Sequence, residues 1–394
     1  MSLLNDFRYR IASMCILNWR EDKVLSAIYS LSDKDIDVAL SAYSSLNFEL
    51  IHSKKSLSNY CHDLLLYTDV PSINSMKFVD YAINAFKYDF EVLRDFCLLS
   101  CDKIKTMIVE NIDDYSHITI PDFPMGRFEW DFEYFTQRHF DGKGGFFARF
   151  KAYRLNEGEI VPVKYHDKIT LNELKNYEFQ REKIIRNTKD FIEGKPAANA
   201  LLYGDRGTGK SSTIKALLNE FEELKMIELN CNEIVFISSL YERLQQYSQK
   251  FILFIDDLTF AEDDKNYSLL KASLEGSLAA RPSNVLIYAT TNRRHIIKET
   301  HASREGGEVF VADAIDESVS LSERFGLFLT FIKPDKIEYL DIVKKIAEDK
   351  GLRIDESILF DTAEKLALRR GGRSPRIASQ AVDFLISNQN DFKV

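Results

Sequence analysis

The chain has 394 residues, 45% of them hydrophobic and 29% charged, with a formal net charge of −9. That length suggests two or three domains, with apolar material for more than one core. The acidic balance disfavours a surface that coats nucleic acid and leaves open only a local basic patch. The five cysteines form no C-x-x-C pair and histidine is sparse, so neither a disulfide framework nor a structural zinc site is indicated.

The opening stretch "MSLLNDFRYRIASMCILNW" is broken by Asp6, Arg8 and Arg10, which interrupts both a signal-peptide core and a spanning helix. The expectation is a soluble, cytoplasmic protein with reduced thiols and no membrane contact. From there to about 140, apolar residues recur at three- and four-residue steps, as in "FVDYAINAFKYDFEVLRDF", and glycine is absent until Gly126. This is a helical texture. Cys97 and Cys101 lie one turn apart on a helix and read as inert thiols.

Turn-rich stretches follow, "PDFPMGRF" and "DGKGGFF". The segment "GRFEWDFEYFTQRHFDGKGGFFARFKAYR" interleaves aromatics with Arg127, Arg138, Lys143, Arg149, Lys151 and Arg154. Such a mixture suits base stacking and phosphate pairing, but it suits a core or an interface more often. "NEGEIVPVKYHDKITL" reads as an extended connector. The expected organisation is a mainly helical N-terminal domain at 1–155, a connector at 156–170, an α/β core at 171–332 and a helical lid at 333–394.

Beyond 170 the pattern alternates. A helix near 173–193 precedes the strand "NALLYG". A helix then runs from Lys210 to about Glu223, followed by the strand "MIELNC", a helix near 238–249 and the strand "FILFIDD". A helix near 266–280 and the strands "VLIYATT" and "LFLTFI" complete the core. Alternating strands and helices imply βαβ units and a parallel sheet. Three helices are expected in the tail, near 334–350, 355–370 and 375–388, the last with Ser374 as N-cap and Pro375 at its first position.

"GDRGTGKS" fits G-x-x-x-x-G-K-[ST] from Gly204 to Ser211. Backbone N–H groups must approach phosphate oxygens closely, which suits Gly204, Gly207 and Gly209 and brings Asp205, Arg206, Thr208 and Ser212 into the loop. The helix that begins at Lys210 points the positive end of its dipole at the phosphates. Lys210 reaches the terminal phosphates, and the Ser211 hydroxyl coordinates Mg²⁺. "FILFIDD" has the look of a buried central strand, and it ends in Asp256, for the metal, and Asp257, for the attacking water. Glu262 or Asp263 competes for the second role. Asn292 ends the next strand, where parallel sheets gather ligands, and is placed to hold the water. No N-K-x-D guanine-reading stretch follows the loop, and this, together with the family resemblance carried by the motifs below, favours ATP over GTP.

Together with "SLSERFG" and "GGRSPR", these motifs make residues 165–394 resemble the AAA+ ATPases. The combination looks most like one uncharacterised bacterial AAA+ family, filed as domain of unknown function eight-fifteen. The resemblance implies that Arg324 reaches the γ-phosphate held by a neighbouring subunit of a homo-oligomer. It implies that Arg376, or failing that Arg373, contacts the nucleotide from the lid, and that Tyr177 borders the adenine. It also implies an ATPase that remodels or loads a protein or nucleic-acid client. One departure matters: the acidic strand ends in Asp-Asp where most AAA+ proteins have Asp-Glu. That keeps a second reading alive, a nucleotide-dependent binding switch with little hydrolysis. A monomeric P-loop kinase is a weaker third. The segment "KETHASREGGEVFVADAIDESVS" is long for a link before the arginine, and reads as an insertion or a contact loop.

Overall fold

A computed structural model describes residues 3–70, 79–109, 120–260, 265–275, 281–292 and 324–388. The chain divides into two compact units, Met1–Arg149 and Phe150–Val394.

The described residues of the first unit form seven α-helices: α1 (Leu3–Ala12), α2 (Lys23–Ser30), α3 (Ile36–Ser53), α4 (Leu57–Tyr67), α5 (Val79–Cys97), α6 (Cys101–Val109) and α7 (Phe132–Phe140). Four of them start at a residue whose side chain accepts from the first turn: Asp22, Asp35, Ser56 and Asp131. One face of each helix enters a common core that contains Leu25, Leu46, Leu50, Leu65, Phe86, Val92 and Phe135. Asp89 is fully buried, and its carboxylate accepts from the N–H groups of Cys15, Ile16 and Leu17 at 3.1, 2.8 and 2.8 Å. It thereby serves donors in the loop after α1 that would otherwise be unmatched. The aromatic side chains at 128–135 also go inward. Phe128, Trp130, Phe132 and Tyr134 pack against the same core, and Arg138 lies 5.3 Å over the Tyr134 ring.

The second unit is built on a seven-stranded sheet: β1 (Ala152–Asn156), β2 (Glu159–Pro162), β3 (Ala200–Gly204), β4 (Leu224–Leu229), β5 (Lys250–Ile255), β6 (Val285–Thr291) and β7 (Leu327–Phe331). Its spatial order is β2-β1-β4-β5-β6-β3-β7. Every pairing is parallel except the β1–β2 hairpin. β5 and β6 are buried on both faces, as their unbroken apolar runs require. Each fully buried side chain such as Leu253 or Phe254 contributes about 1.5–3 kcal/mol. The helices are α8 (Glu178–Ile192), α9 (Lys210–Glu220), α10 (Ile237–Leu244) and α11 (Lys265–Glu275). A C-terminal bundle follows, of α12 (Lys336–Asp349), α13 (Glu356–Arg369) and α14 (Pro375–Ser387). The bundle has its own core, with Tyr339, Val343, Ala363, Ala378 and Val382 at its centre.

Two differences from the sequence reading stand out. The stretch taken for a connector contributes β2, which pairs with β1 through a turn at Glu157 and Gly158, both at positive φ. The helix expected near 238–249 is shorter: a 3-10 segment, Cys231–Phe236, runs into α10.

Candidate functional site

β6 lies between β5 and β3 in the sheet. The C-terminal ends of these three strands therefore meet at one edge, with Thr290–Asn292 flanked by Asp256 and Asp257 on one side and the 204–210 loop on the other. This is the crevice where parallel α/β sheets hold ligands.

The loop leaves β3 at Gly204, whose φ is +131°. A Cβ there would stand 2.1 Å from the Phe331 carbonyl oxygen of β7, so only glycine lets the two backbones approach so closely. Gly207, at φ +78°, also lies close to the C-terminal bundle, since a Cβ on it would meet Ser374 Oγ at 3.0 Å. The Gly207 carbonyl accepts from Arg376 N–H at 3.2 Å, which ties the bundle to the loop.

Lys210 opens α9 and is only 5% exposed. Its Nζ donates to the carbonyl oxygens of Gly204 and Asp205 at 2.8 and 2.7 Å and to Asn292 Oδ1 at 2.9 Å. Among the described residues, no carboxylate bonds it directly. Burial pushes its pKa down to about 8; Asp205, Asp257 and Asp256 pull it back up, and Arg376 presses it further down. A buried ammonium held by neutral oxygens is poised to take an anion.

Ser211 Oγ donates to Asp256 Oδ1 at 2.6 Å. Asn292 Nδ2 donates to Asp257 Oδ1 at 2.6 Å, so one amide bridges the lysine and the second aspartate. Asp257 sits at φ +51°, in the left-handed region that few residues other than glycine enter but that aspartate tolerates better than most. Thr290, which the sequence reading did not single out, holds this arrangement. Its hydroxyl donates to Asp256 Oδ1 at 2.5 Å and accepts from Asp257 N–H at 3.0 Å. The polar "TT" before Asn292, at the end of an otherwise apolar strand, was the available signal.

A cavity of about 430 Å³ is lined by Arg206, Lys210, Ser211, Asp256, Asp257 and Asn292, among others. A second, of about 520 Å³, adjoins it through Gly207, Gly209, Ser212 and Arg376 and extends to Thr208, Tyr177, Arg181 and Ile346. Tyr177 faces this second cavity but uses its hydroxyl elsewhere, donating to the Ile332 carbonyl at 2.6 Å; burial pushes its pKa up. Asp205 likewise turns its carboxylate away, to Lys333 N–H at 2.8 Å.

The structure separates the two lid arginines. Arg373 is paired with Glu364 through two bonds of 2.8 and 2.7 Å, whereas Arg376 lines both cavities. Arg324 lines neither. It precedes β7 by three residues, and β7 starts opposite Ala200, the first residue of β3, so Arg324 stands at the end of the strands remote from the loop. Glu262, Asp263 and the long link after Asn292 lie outside the described residues.

Fold and site together define a P-loop protein of the AAA+ type: a parallel sheet, a glycine loop leading into a helix, an acidic strand end and a helical lid. The pattern of the family described as "Protein of unknown function (DUF815)" matches residues 147–389, and the chain belongs to that family. A curated relative, the replication factor C large subunit of Sulfurisphaera tokodaii, is 35% identical over 72 residues, 18% of this chain and 16% of that protein. Among solved structures, a single-residue variant of RuvB from Thermotoga maritima aligns with a TM-score of 0.40 at 18% identity, covering 56% of this chain and 66% of that one. The ORC1 protein of Aeropyrum pernix, solved in complex with DNA, aligns with a TM-score of 0.37 at 18% identity, covering 55% of this chain and 61% of that one. The chain thus spans about a sixth of the curated relative and under two thirds of these two structures. Among the described residues, no helix is long and apolar enough to cross a membrane.

Proposed function

We propose that this protein binds ATP with Mg²⁺ in the paired cavities and hydrolyses it as part of a homo-oligomer, moving the lid and with it a protein or nucleic-acid client. The observation that carries the reading is the buried Lys210, bonded to neutral oxygens of the glycine loop and Asn292. A triphosphate supplies an anion for this cation, and the backbone N–H groups of 204–211 and the start of α9 suit its oxygens. The Ser211 hydroxyl and the Asp256 carboxylate, 2.6 Å apart, would hold a hard cation. Once bound, that cation would supply positive charge to offset the charge of the phosphate oxygens.

In this reading Asp257 orients or deprotonates the attacking water, and Asn292 holds that water once it releases the carboxylate. Arg376 closes on the phosphates from the lid. Arg324 is far from its own loop along the strands, which favours action on a neighbour's nucleotide. The acidic net charge disfavours non-specific coating of nucleic acid by the client-binding surface.

A second reading has one observation in its favour. Asp257 is a methylene shorter than the usual glutamate, stands at a left-handed φ, and is bonded to Asn292. That arrangement suits a switch that binds ATP and turns it over negligibly.

Mixing two inactive chains tests the first reading. Asp257→Asn and Arg324→Ala each abolish turnover alone while retaining ATP binding. Mixed, they restore phosphate release, because an intact Asp257 on one chain then meets an intact Arg324 on the next. Tight binding with no phosphate release from the wild type would establish the switch instead, and no recovery on mixing would remove the intersubunit arginine.

A further inference from the structure

Asp205 is the first residue of the loop after its opening glycine, yet its carboxylate bonds away from the phosphate cavity. Oδ2 accepts from Lys333 N–H at 2.8 Å. The residue's own N–H donates to the Phe331 carbonyl at 2.9 Å, extending the β3–β7 ladder by one bond. Its carbonyl accepts from Lys210 Nζ at 2.7 Å and from Thr208 Oγ1 at 2.8 Å. One residue therefore holds the phosphate-seeking ammonium on one side and the chain that leaves β7 on the other.

That chain is short. Ile332, Lys333 and Pro334 alone separate β7 from Asp335, the N-cap of α12. Asp335 and Glu338 form a reciprocal capping box, so α12 is ordered from its first turn. The bundle has its own core, and the three residues 332–334 are its link to β7. Two groups from the nucleotide side grip them: Asp205 on Lys333 and the Tyr177 hydroxyl on the Ile332 carbonyl at 2.6 Å. The Lys333 ammonium in turn reaches the Gly371 carbonyl, at 3.0 Å, just before the residues that carry Arg376.

We propose that Asp205 is the positioning residue that couples occupancy of the phosphate loop to the angle of the lid; this rests on the ATP reading given above. When phosphate oxygens take the Lys210 ammonium, its bonds to the Gly204 and Asp205 carbonyls are exchanged. The peptide groups at 204–206 reorient, and the Asp205 carboxylate carries Lys333 N–H with it. The loop also touches the lid where the Gly207 carbonyl accepts from Arg376 N–H, a contact that in this proposal follows the turn rather than driving it.

The test uses the full chain and a non-hydrolysable ATP analogue with Mg²⁺. Calorimetry gives affinity, and amide hydrogen exchange over 333–388 gives the lid response. In the wild type the analogue binds and slows exchange in α12 and α14. Asp205→Ala binds it within about threefold of wild type, because the phosphate contacts remain, but the lid response is lost and kcat falls about tenfold at similar KM. Asp205→Asn, which retains an acceptor oxygen, keeps the response. Asp205→Ser, whose oxygen falls short of Lys333, behaves like the alanine variant and serves if that variant does not fold. An unchanged lid response in both truncated variants overturns the inference, as does its loss in Asp205→Asn. A wild type that fails to bind the analogue overturns the ATP reading itself, and the calorimetry alone reveals that.

Discussion

Raising the pH from 7 to 9 should weaken ATP binding through one side chain. Lys210 sits at about 8 in the free protein, against an ordinary value near 10.5, because burial disfavours its charge. Asp205, Asp256, Asp257 and Arg376 are the charged groups that bear on it. A bound triphosphate favours the ammonium and returns its pKa to the ordinary value or above. The free site is then about 90% protonated at pH 7 and about 10% at pH 9, while the bound site stays protonated. The sign is fixed: binding takes up protons, and affinity falls as pH rises through 8. The loss is about tenfold in Kd, or about 1.4 kcal/mol, with about 0.9 proton taken up per site at pH 9. ATP itself is fully ionised over most of this range. Calorimetry of a non-hydrolysable analogue with Mg²⁺, in buffers of different ionisation enthalpy, measures both quantities. Lys210→Met should abolish the pH dependence and cost about 2–5 kcal/mol of affinity at pH 7. A flat Kd from pH 7 to 9 with no proton uptake would refute the reasoning.

The lid arginines should part company. Arg376→Ala removes a cation that lines both cavities, and ATP affinity should fall about tenfold or more. Arg373→Ala breaks the pair with Glu364 and should lower the thermal midpoint while leaving affinity unchanged; the reverse pattern would exchange their roles. Gly204→Ala places a Cβ against the Phe331 carbonyl at a φ that side chains avoid. It should cost about 3 kcal/mol or more, read as a drop in the urea midpoint, and an unchanged midpoint would contradict the close approach of β3 and β7.

Much of the second unit is visible in its residues because the signals there are local. A glycine loop between an apolar run and a helical period needs no knowledge of the rest of the chain, nor does an apolar strand that ends in two aspartates. The three tail helices announce themselves by period and by Ser374–Pro375. What stays hidden depends on pairing across distance. The hairpin of β1 and β2 is short, and its turn residues Glu157 and Gly158 carry the one available cue, a glycine in a two-residue loop. That Arg373 is paired while Arg376 lines the cavities depends on Glu364, which sits on another helix. Thr290 matters only because β6 lies beside β5, and sheet order is not written in any one strand. Asp205 reads as one more loop residue until β7 and the chain after it are brought alongside.

The most direct test is phosphate release from saturating MgATP by the full chain at pH 7.5, wild type beside Lys210→Met, with thermal unfolding to confirm that both are folded. The account predicts steady release from the wild type and none from the variant at an equal midpoint. Equal release from both proteins would contradict it.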